Sequence, residues 1–391
     1  MTQPPPYDPT PGWGESLYTG ACGIALLHIE YARTGTGDPD TAHQWAAATT
    51  RSPVTAHPDA CGLHRGAPAV AFTLHAARQP AYAPALATLD GHITTLTRHR
   101  LHRAHQRIEA GQLPALREHD LIRGLTGIGA YLLHRHRGGD LLRDVLTYLV
   151  RLTQPLKTGD GRTLPGWWSG NAPHDQPSPQ WPGGHGNLGL AHGIAGPLAL
   201  LSTAMRRGIT VTGHADAIGR ICAWLEQWRT GTGPQAWWPP TISAPEQHAG
   251  TIRQSGPRRP SWCYGTPGLA RAQQLAALAL ADPRRQRRAE QTLAGCVTDD
   301  RQLAQLDDSS LCHGWAGLLH TTWRVAGEAG DPKPFAVPHL LRRMRQHLHR
   351  HGPPAHDGLL EGLAGVQLAR HTITAGVPPA TGWDACLLLD G

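Results

Sequence analysis

Apolar residues in this chain gather into seven blocks of helical length, at 24–32, 70–77, 128–134, 198–205, 269–280, 318–325 and 366–373. No block alternates apolar with polar as a half-buried strand would. Between the blocks lie longer segments whose apolar residues fall on one helical face, such as Leu142, Val145, Leu146 and Leu149, or Ile218, Ile221, Cys222, Leu225 and Trp228. Each block follows a Gly-x-x-Gly turn: Gly20 and Gly23, Gly124 and Gly127, Gly193 and Gly196, Gly265 and Gly268, Gly314 and Gly317, Gly362 and Gly365, with a degenerate copy at Gly66 where Ala69 replaces the second glycine. Successive first glycines lie 46 to 72 residues apart, enough for two helices and their loops. The pattern predicts seven helical hairpins.

Equivalent turns place equivalent residues on one rim of a repeat architecture. An open solenoid would need polar caps at its ends, whereas the first and last repeats here are as apolar as the rest. The expectation is therefore an all-α, (α/α)7 toroid with an inner and an outer ring of helices, filling residues 16–391 as one domain behind a Pro-rich segment at 1–15. Two connections, 155–187 and 229–262, are rich in Gly, Pro and Trp and lack helical period. Trp167, Trp168, Trp181, Trp237 and Trp238 in them either line a groove for an extended peptide or pin the loops down.

Composition narrows the class. The formal charge of +7 is spread over presumed helix faces such as 284–288 and 342–350, with no nucleic-acid motif, and reads as solvated surface. No apolar run reaches membrane-spanning length and no signal peptide is evident, so a cytoplasmic protein is expected. Seven widely spaced cysteines without a secretion signal read as reduced thiols, to be explained by burial or metal binding.

Candidate chemistry lies just before the first glycines. Ala191-His192, Cys263-Tyr264 and Cys312-His313 occupy the same offset in three neighbouring turns, bringing soft and nitrogen ligands around one opening. Two cysteines and a histidine make a three-ligand zinc set, one short of a structural site, and an open fourth position implies catalysis. Cys312 and His313 are adjacent, so only a turn at a helix start aims both at one ion. By spacing alone, buried free cysteines explain the pattern better; equivalence across repeats reverses that weighting.

Ser261-Trp262-Cys263-Tyr264-Gly265, Cys312-His313-Gly314 and the run from Asn187 to Gly196 resemble the signatures of the lanthionine synthetase C-like (LanC) family, in family order. The resemblance runs from Gly20 to Gly365. It implies a seven-repeat α/α toroid with one zinc ion per chain, held by Cys263, Cys312 and His313. It further implies His192 and Asp120 as acid/base pair, and Arg259 and Tyr264 as contributors outside the ligand set. The implied activity is that of a stand-alone bacterial cyclase closing lanthionine and methyllanthionine rings in a dehydrated precursor peptide with a leader. The dehydration is left to a separate dehydratase, free or in complex. The 58-residue interval after the second turn leaves little room for the small inserted domain of some bacterial members.

Bland readings stand beside these. Asp120, four residues before Gly124, also fits a turn cap. Arg259, near Arg253 and Arg258, also fits a loop charge, and His192 also fits a backbone-bonding role. Rival functions are an enzyme of this fold that adds glutathione to dehydrated residues and a zinc-stabilised scaffold. A glycosidase or terpene cyclase of toroid fold lacks its paired carboxylates or Asp-rich motifs near the turns.

Overall fold

Every glycine turn starts a helix one residue after its first glycine or just beyond. The resulting inner helices are Ala21–Arg33, Ala67–Ala77, Leu125–His136, Ala195–Arg206, Thr266–Ala279, Trp315–Glu328 and Leu363–Ala375. The computed structural model describes residues 5, 8, 10–136, 138–157, 161 and 163–391. Pro4, Pro6 and Pro9 of the Pro-rich segment, and positions 158–160 and 162 of the first long loop, lie outside these. The inner helices are apolar around most of their circumference, as a helix enclosed on all sides must be. Each packs on the next, and the seventh returns to the first, so the ring closes. Outside it stand Pro39–Ala48, Ala83–Glu109, Asp140–Leu152, His214–Gln227, Pro283–Thr298 and Val337–His351, each against the inner helix that precedes it. These are one-sided: Val337–His351 buries only Leu340 and Met344. The architecture is an α/α toroid. The interval after the second turn is taken up by the 27-residue helix Ala83–Glu109 and a short turn at Leu116–His119, in place of any inserted domain.

The seventh repeat departs from the hairpin pattern. No outer helix follows Leu363–Ala375; its outward positions carry Gln367, Arg370 and Thr374, which need no apolar cover. The chain instead turns into the bore of the ring, where Trp383, Asp384, Cys386, Leu387, Leu388 and Leu389 are almost wholly buried. Inner-ring side chains grip this tail by its backbone. Glu30 accepts from the amides of Ala380 and Thr381, Trp262 Nε1 donates to the Leu387 carbonyl at 3.1 Å, and Arg271 donates to that of Leu389. Asp384 is held by His320 at 2.7 Å and by a two-point contact with Arg324.

The glycines are explained by how closely the rim loops approach. A Cβ at Gly365 would collide with the Leu359 carbonyl, and one at Gly268 with that of Trp262: in each intact turn the second glycine meets the carbonyl six residues earlier. That close approach aligns the loops so that their backbones bond around the rim. Leu17 N donates to His64 O (3.0 Å), Leu121 N to Ala191 O (3.0 Å), Leu190 N to Cys263 O (2.8 Å) and Cys263 N to Cys312 O (3.2 Å). Cys312 N then donates to Leu360 O (2.9 Å), and Leu360 N to Tyr18 O (3.1 Å). The link missing from this series joins the second turn, where Ala69 breaks the pattern, to the third. There the Arg100 guanidinium substitutes, donating to the carbonyls of Pro58 and Arg123 at 2.6 Å each and to that of Cys61.

The long loops carry two short antiparallel pairings, Leu156–Lys157 with Thr163–Leu164 and His185–Asn187 with Thr241–Ser243. Trp167, Trp168, Trp237 and Trp238 are all buried. Trp168 donates to the Gly183 carbonyl, Trp238 to that of Leu225, and Trp167 sits edge-on to Trp224. They pin the loops. Only Trp181 keeps a partly exposed face, packed against His185.

Gly365→Ala is expected to destabilise the protein by ~1–3 kcal/mol through the forced shift of the Leu359 carbonyl. Gly91→Ala, at a helical position with open space around it, is expected to stabilise by ~0.5–1 kcal/mol. Urea unfolding of the two variants checks both signs.

Candidate metal centre and its neighbours

The residues just before the fifth and sixth turns meet at one point of the rim. One ligand atom each from Cys263, Cys312 and His313 lies within 4.8 Å of the other two. Two features of the local chain achieve this. The bond from Cys263 N to Cys312 O ties the two loops side by side, and the turn ahead of Trp315–Glu328, where His313 N donates to Ser310 Oγ, faces adjacent residues the same way. Cys263 is buried and Cys312 half-buried; all seven cysteines are free thiols.

The trio shares its protons unevenly. Hydrogen bonding from Cys312, with His313 and Ser261 behind it, outweighs burial and holds the Cys263 thiol well below its ordinary value, while the same hydrogen bond, then burial and the charge of Cys263, pushes Cys312 up. His313 is pushed up to about 10, chiefly by Asp308 and then by Cys263. Two sulfurs and an imidazole, with anionic character on the sulfur side, form a donor set of the size and softness that zinc takes. His313 Nε2 lies 3.1 Å from Asp308 Oδ2, which leaves Nδ1 as the nitrogen for a metal. Nδ1 is 3.9 Å from Glu361 Oε1.

His192 stands apart from this trio, although its offset is the same. Its Nδ1 bonds Asp120 Oδ2 at 2.6 Å, leaving Nε2 toward the open side, where the side chain is 36% exposed. The other oxygen of Asp120 accepts from the amides of Arg123 (2.6 Å) and Gly124 (2.7 Å). Asp120 is thus both the turn cap and the partner of His192, one role per oxygen. Burial alone would lower the His192 pKa; the hydrogen bond and charge of Asp120 outweigh it and the value is raised. Tyr264 stacks beside the His192 ring at 6.2 Å between centroids, and Asn187 Nδ2 donates to its hydroxyl at 3.3 Å. Burial drives the Tyr264 pKa upward, so it remains a neutral phenol.

Arg259 is tied to the opposite flank. Its guanidinium donates to Asp307 Oδ1 at 2.8 Å and lies 3.9 Å from Asp308 Oδ2, one carboxylate removed from His313. The structure thus groups Cys263, Cys312 and His313, sets His192, Asp120 and Tyr264 on one side, and reaches Arg259 through Asp308 on the other. Sequence reasoning misses Asp308 and Glu361. Glu361 immediately precedes Gly362, the offset of His192, Tyr264 and His313, so the same repeat rule points to it.

The profile of a family described as lanthionine synthetase C-like protein matches residues 12–388. Nisin biosynthesis protein NisC of Lactococcus lactis subsp. lactis is 28% identical over 256 residues, 64% of this chain; the match spans only 60% of that relative's length. A solved structure titled Nisin cyclase superposes with a TM-score of 0.79 over 97% of this chain and 93% of its own, at 24% identity, a likeness of fold.

A His192 pKa raised by Asp120 contributes stability that is fully present below the unfolded value of 6.5 and is lost as pH rises through the folded value. Asp120→Asn is expected to lower the His192 titration midpoint measured by NMR. The stability gap between parent and variant is expected to be widest below pH 6.5, above the carboxylate range, and to narrow with rising pH.

Proposed function

The chain belongs to the lanthionine synthetase C-like family, and we propose that it is a zinc-dependent cyclase that closes lanthionine and methyllanthionine rings. In this reading a cysteine thiol of a dehydrated precursor peptide adds to the β-carbon of a dehydroalanine or dehydrobutyrine in the same peptide. The observation that carries it is the meeting of two thiols and an imidazole within 4.8 Å on the rim that also bears the His192–Asp120 pair. A metal-ligand set and a proton-handling pair on one opening suit the activation of one group and the protonation of another.

Cys263, Cys312 and His313 would hold the zinc. Zinc there would lower the pKa of a peptide thiol presented at its fourth position, making thiolate available at neutral pH. The carbon–sulfur bond forms as the alkene electrons move to the α-carbon and its carbonyl, and the ring is complete once the α-carbon is protonated. His192 is suited to deliver that proton through Nε2: Nδ1 is fixed by Asp120, whose charge favours the protonated ring from which a general acid must start. Tyr264, neutral and stacked on His192, limits the tilt of the ring. Arg259 would stabilise the enolate oxygen, which requires it to swing from Asp307 when peptide binds. The thiol proton leaves as the α-carbon gains one, so product and substrate have equal mass. The alkene itself arises when Ser or Thr loses water, a step assigned here to a separate dehydratase.

Cys312→Ala is expected to lose zinc in metal analysis of the purified protein while keeping its helical circular dichroism, because ring closure rests on helix packing. Full zinc occupancy in that variant would remove the assignment. Given a dehydrated peptide, the protein is expected to shield cysteines from alkylation one for one with alkenes consumed, at unchanged peptide mass even with glutathione present. Thiol and alkene on one chain have an effective concentration far above that of an external thiol. A gain of glutathione mass would replace this reading with thiol addition; cysteines left fully alkylatable would leave only a scaffold.

A further inference from the structure

The repeat offset that exposes the reactive residues also exposes a second tier behind them. Six places before the first glycine stand Asn187, Arg259 and Asp308 in the fourth, fifth and sixth turns, the three turns that supply the metal-binding cysteines, His313 and His192. Two of them share one arrangement. Asn187 Oδ1 accepts from the amide two residues on, Gly189, at 3.0 Å, and its other arm donates to the Tyr264 hydroxyl. Asp308 Oδ1 accepts from the amide two residues on, Ser310, at 2.6 Å, and its other arm meets His313 Nε2 at 3.1 Å. In each, one oxygen is anchored to the turn's own backbone, so the free arm has a fixed direction. Arg259 completes the tier by reaching to Asp307 and Asp308.

We propose that Asp308 is a positioning residue for His313: by accepting the Nε2 proton it fixes the tautomer and ring angle that turn Nδ1 toward Cys263 and Cys312. The role rests on the metal site proposed above. Several features suit it. The carboxylate is half-buried, its anchor to Ser310 leaves it little freedom to rotate, and the bonds from His313 and Ser310 overcome burial to keep it ionised. Imidazole ligands backed by a carboxylate in this way bind metal more tightly, and loss of the backing group typically lowers affinity about 10–100-fold. Arg259 shares the same carboxylate, so the tier also links the orientation of the metal ligand to that of the arginine. Asp307, which is mostly exposed and makes the shorter contact with Arg259, does not touch His313.

Two variants separate positioning from folding. Asp308→Ala removes both arms. Asp308→Asn keeps an oxygen for the Ser310 amide, as Asn187 does for Gly189, but turns an NH2 group toward His313 Nε2. The probe is cobalt(II), whose thiolate charge-transfer and d–d bands report ligand number and geometry, titrated against a chelator into full-length protein checked by circular dichroism. Both variants are expected to bind cobalt about 10–100-fold more weakly than the parent, with shifted d–d bands and unchanged helical signal. Parent-like bands with affinity within about twofold of the parent in Asp308→Asn would overturn the role of Asp308 alone. A parent protein lacking the thiolate band would overturn the metal site and this role with it.

Discussion

The structure depends on a steric constraint repeated around the rim. In each intact turn the second glycine receives the carbonyl of the residue six places before it, and a side chain there would push the loop away from its helix. Because the loops lie this close, their backbones can bond to one another, and Cys263 and Cys312 occupy bonded positions. Cys263 donates to the carbonyl of Cys312 and accepts from the amide of Leu190. The spacing of the two sulfurs is therefore set by main-chain hydrogen bonds between repeats, independently of any ion. Where the glycine is lost, at Ala69, the neighbouring link is lost too, and a side chain from the outer ring, Arg100, supplies it. That junction reaches the carbonyl of Arg123, the residue whose amide donates to Asp120.

Polar side chains on this frame serve two ends at once. Asp120 satisfies the amides that open the third inner helix with one oxygen and His192 with the other. Asp308 and Asn187 divide themselves in the same manner. The economy is electrostatic as well as geometric. Around Asp308 the bonds from His313 and Ser310 overcome burial and keep the carboxylate ionised beside the imidazole.

The repeat frame and the reactive offset are legible in the sequence because both follow from a local steric rule that leaves the same residue type at each copy. Of the residues just before the first glycines, Cys263, Cys312 and His313 come together, while His192 and Tyr264 stack on each other beside them. The second tier is not legible: its positions hold Gly14, Ala60, Glu118, Asn187, Arg259, Asp308 and His356, with no common chemistry to betray a common geometry. The tail in the bore is hidden for another reason. His64, Trp262 and Arg271 hold it through backbone carbonyls, which any sequence supplies. The tryptophans of the long loops are ambiguous by composition, since a ring that lines a groove and one that anchors a loop look alike until burial is known. Asp120 presents two competing possibilities in the sequence only because a residue is ordinarily given one role, and its two oxygens carry one each.

The tail that fills the bore makes the ring a cup instead of a tunnel. Residues 383–389 are sealed among the inner helices, so nothing the width of a polypeptide passes from one mouth to the other. Any chain that works at the rim approaches and retreats on one side, as a bight laid over a post and lifted off again. No end has to be threaded and no loop is left linked through the protein. For the peptide substrate proposed above, segments in the middle would then be as free to reach the rim as the termini.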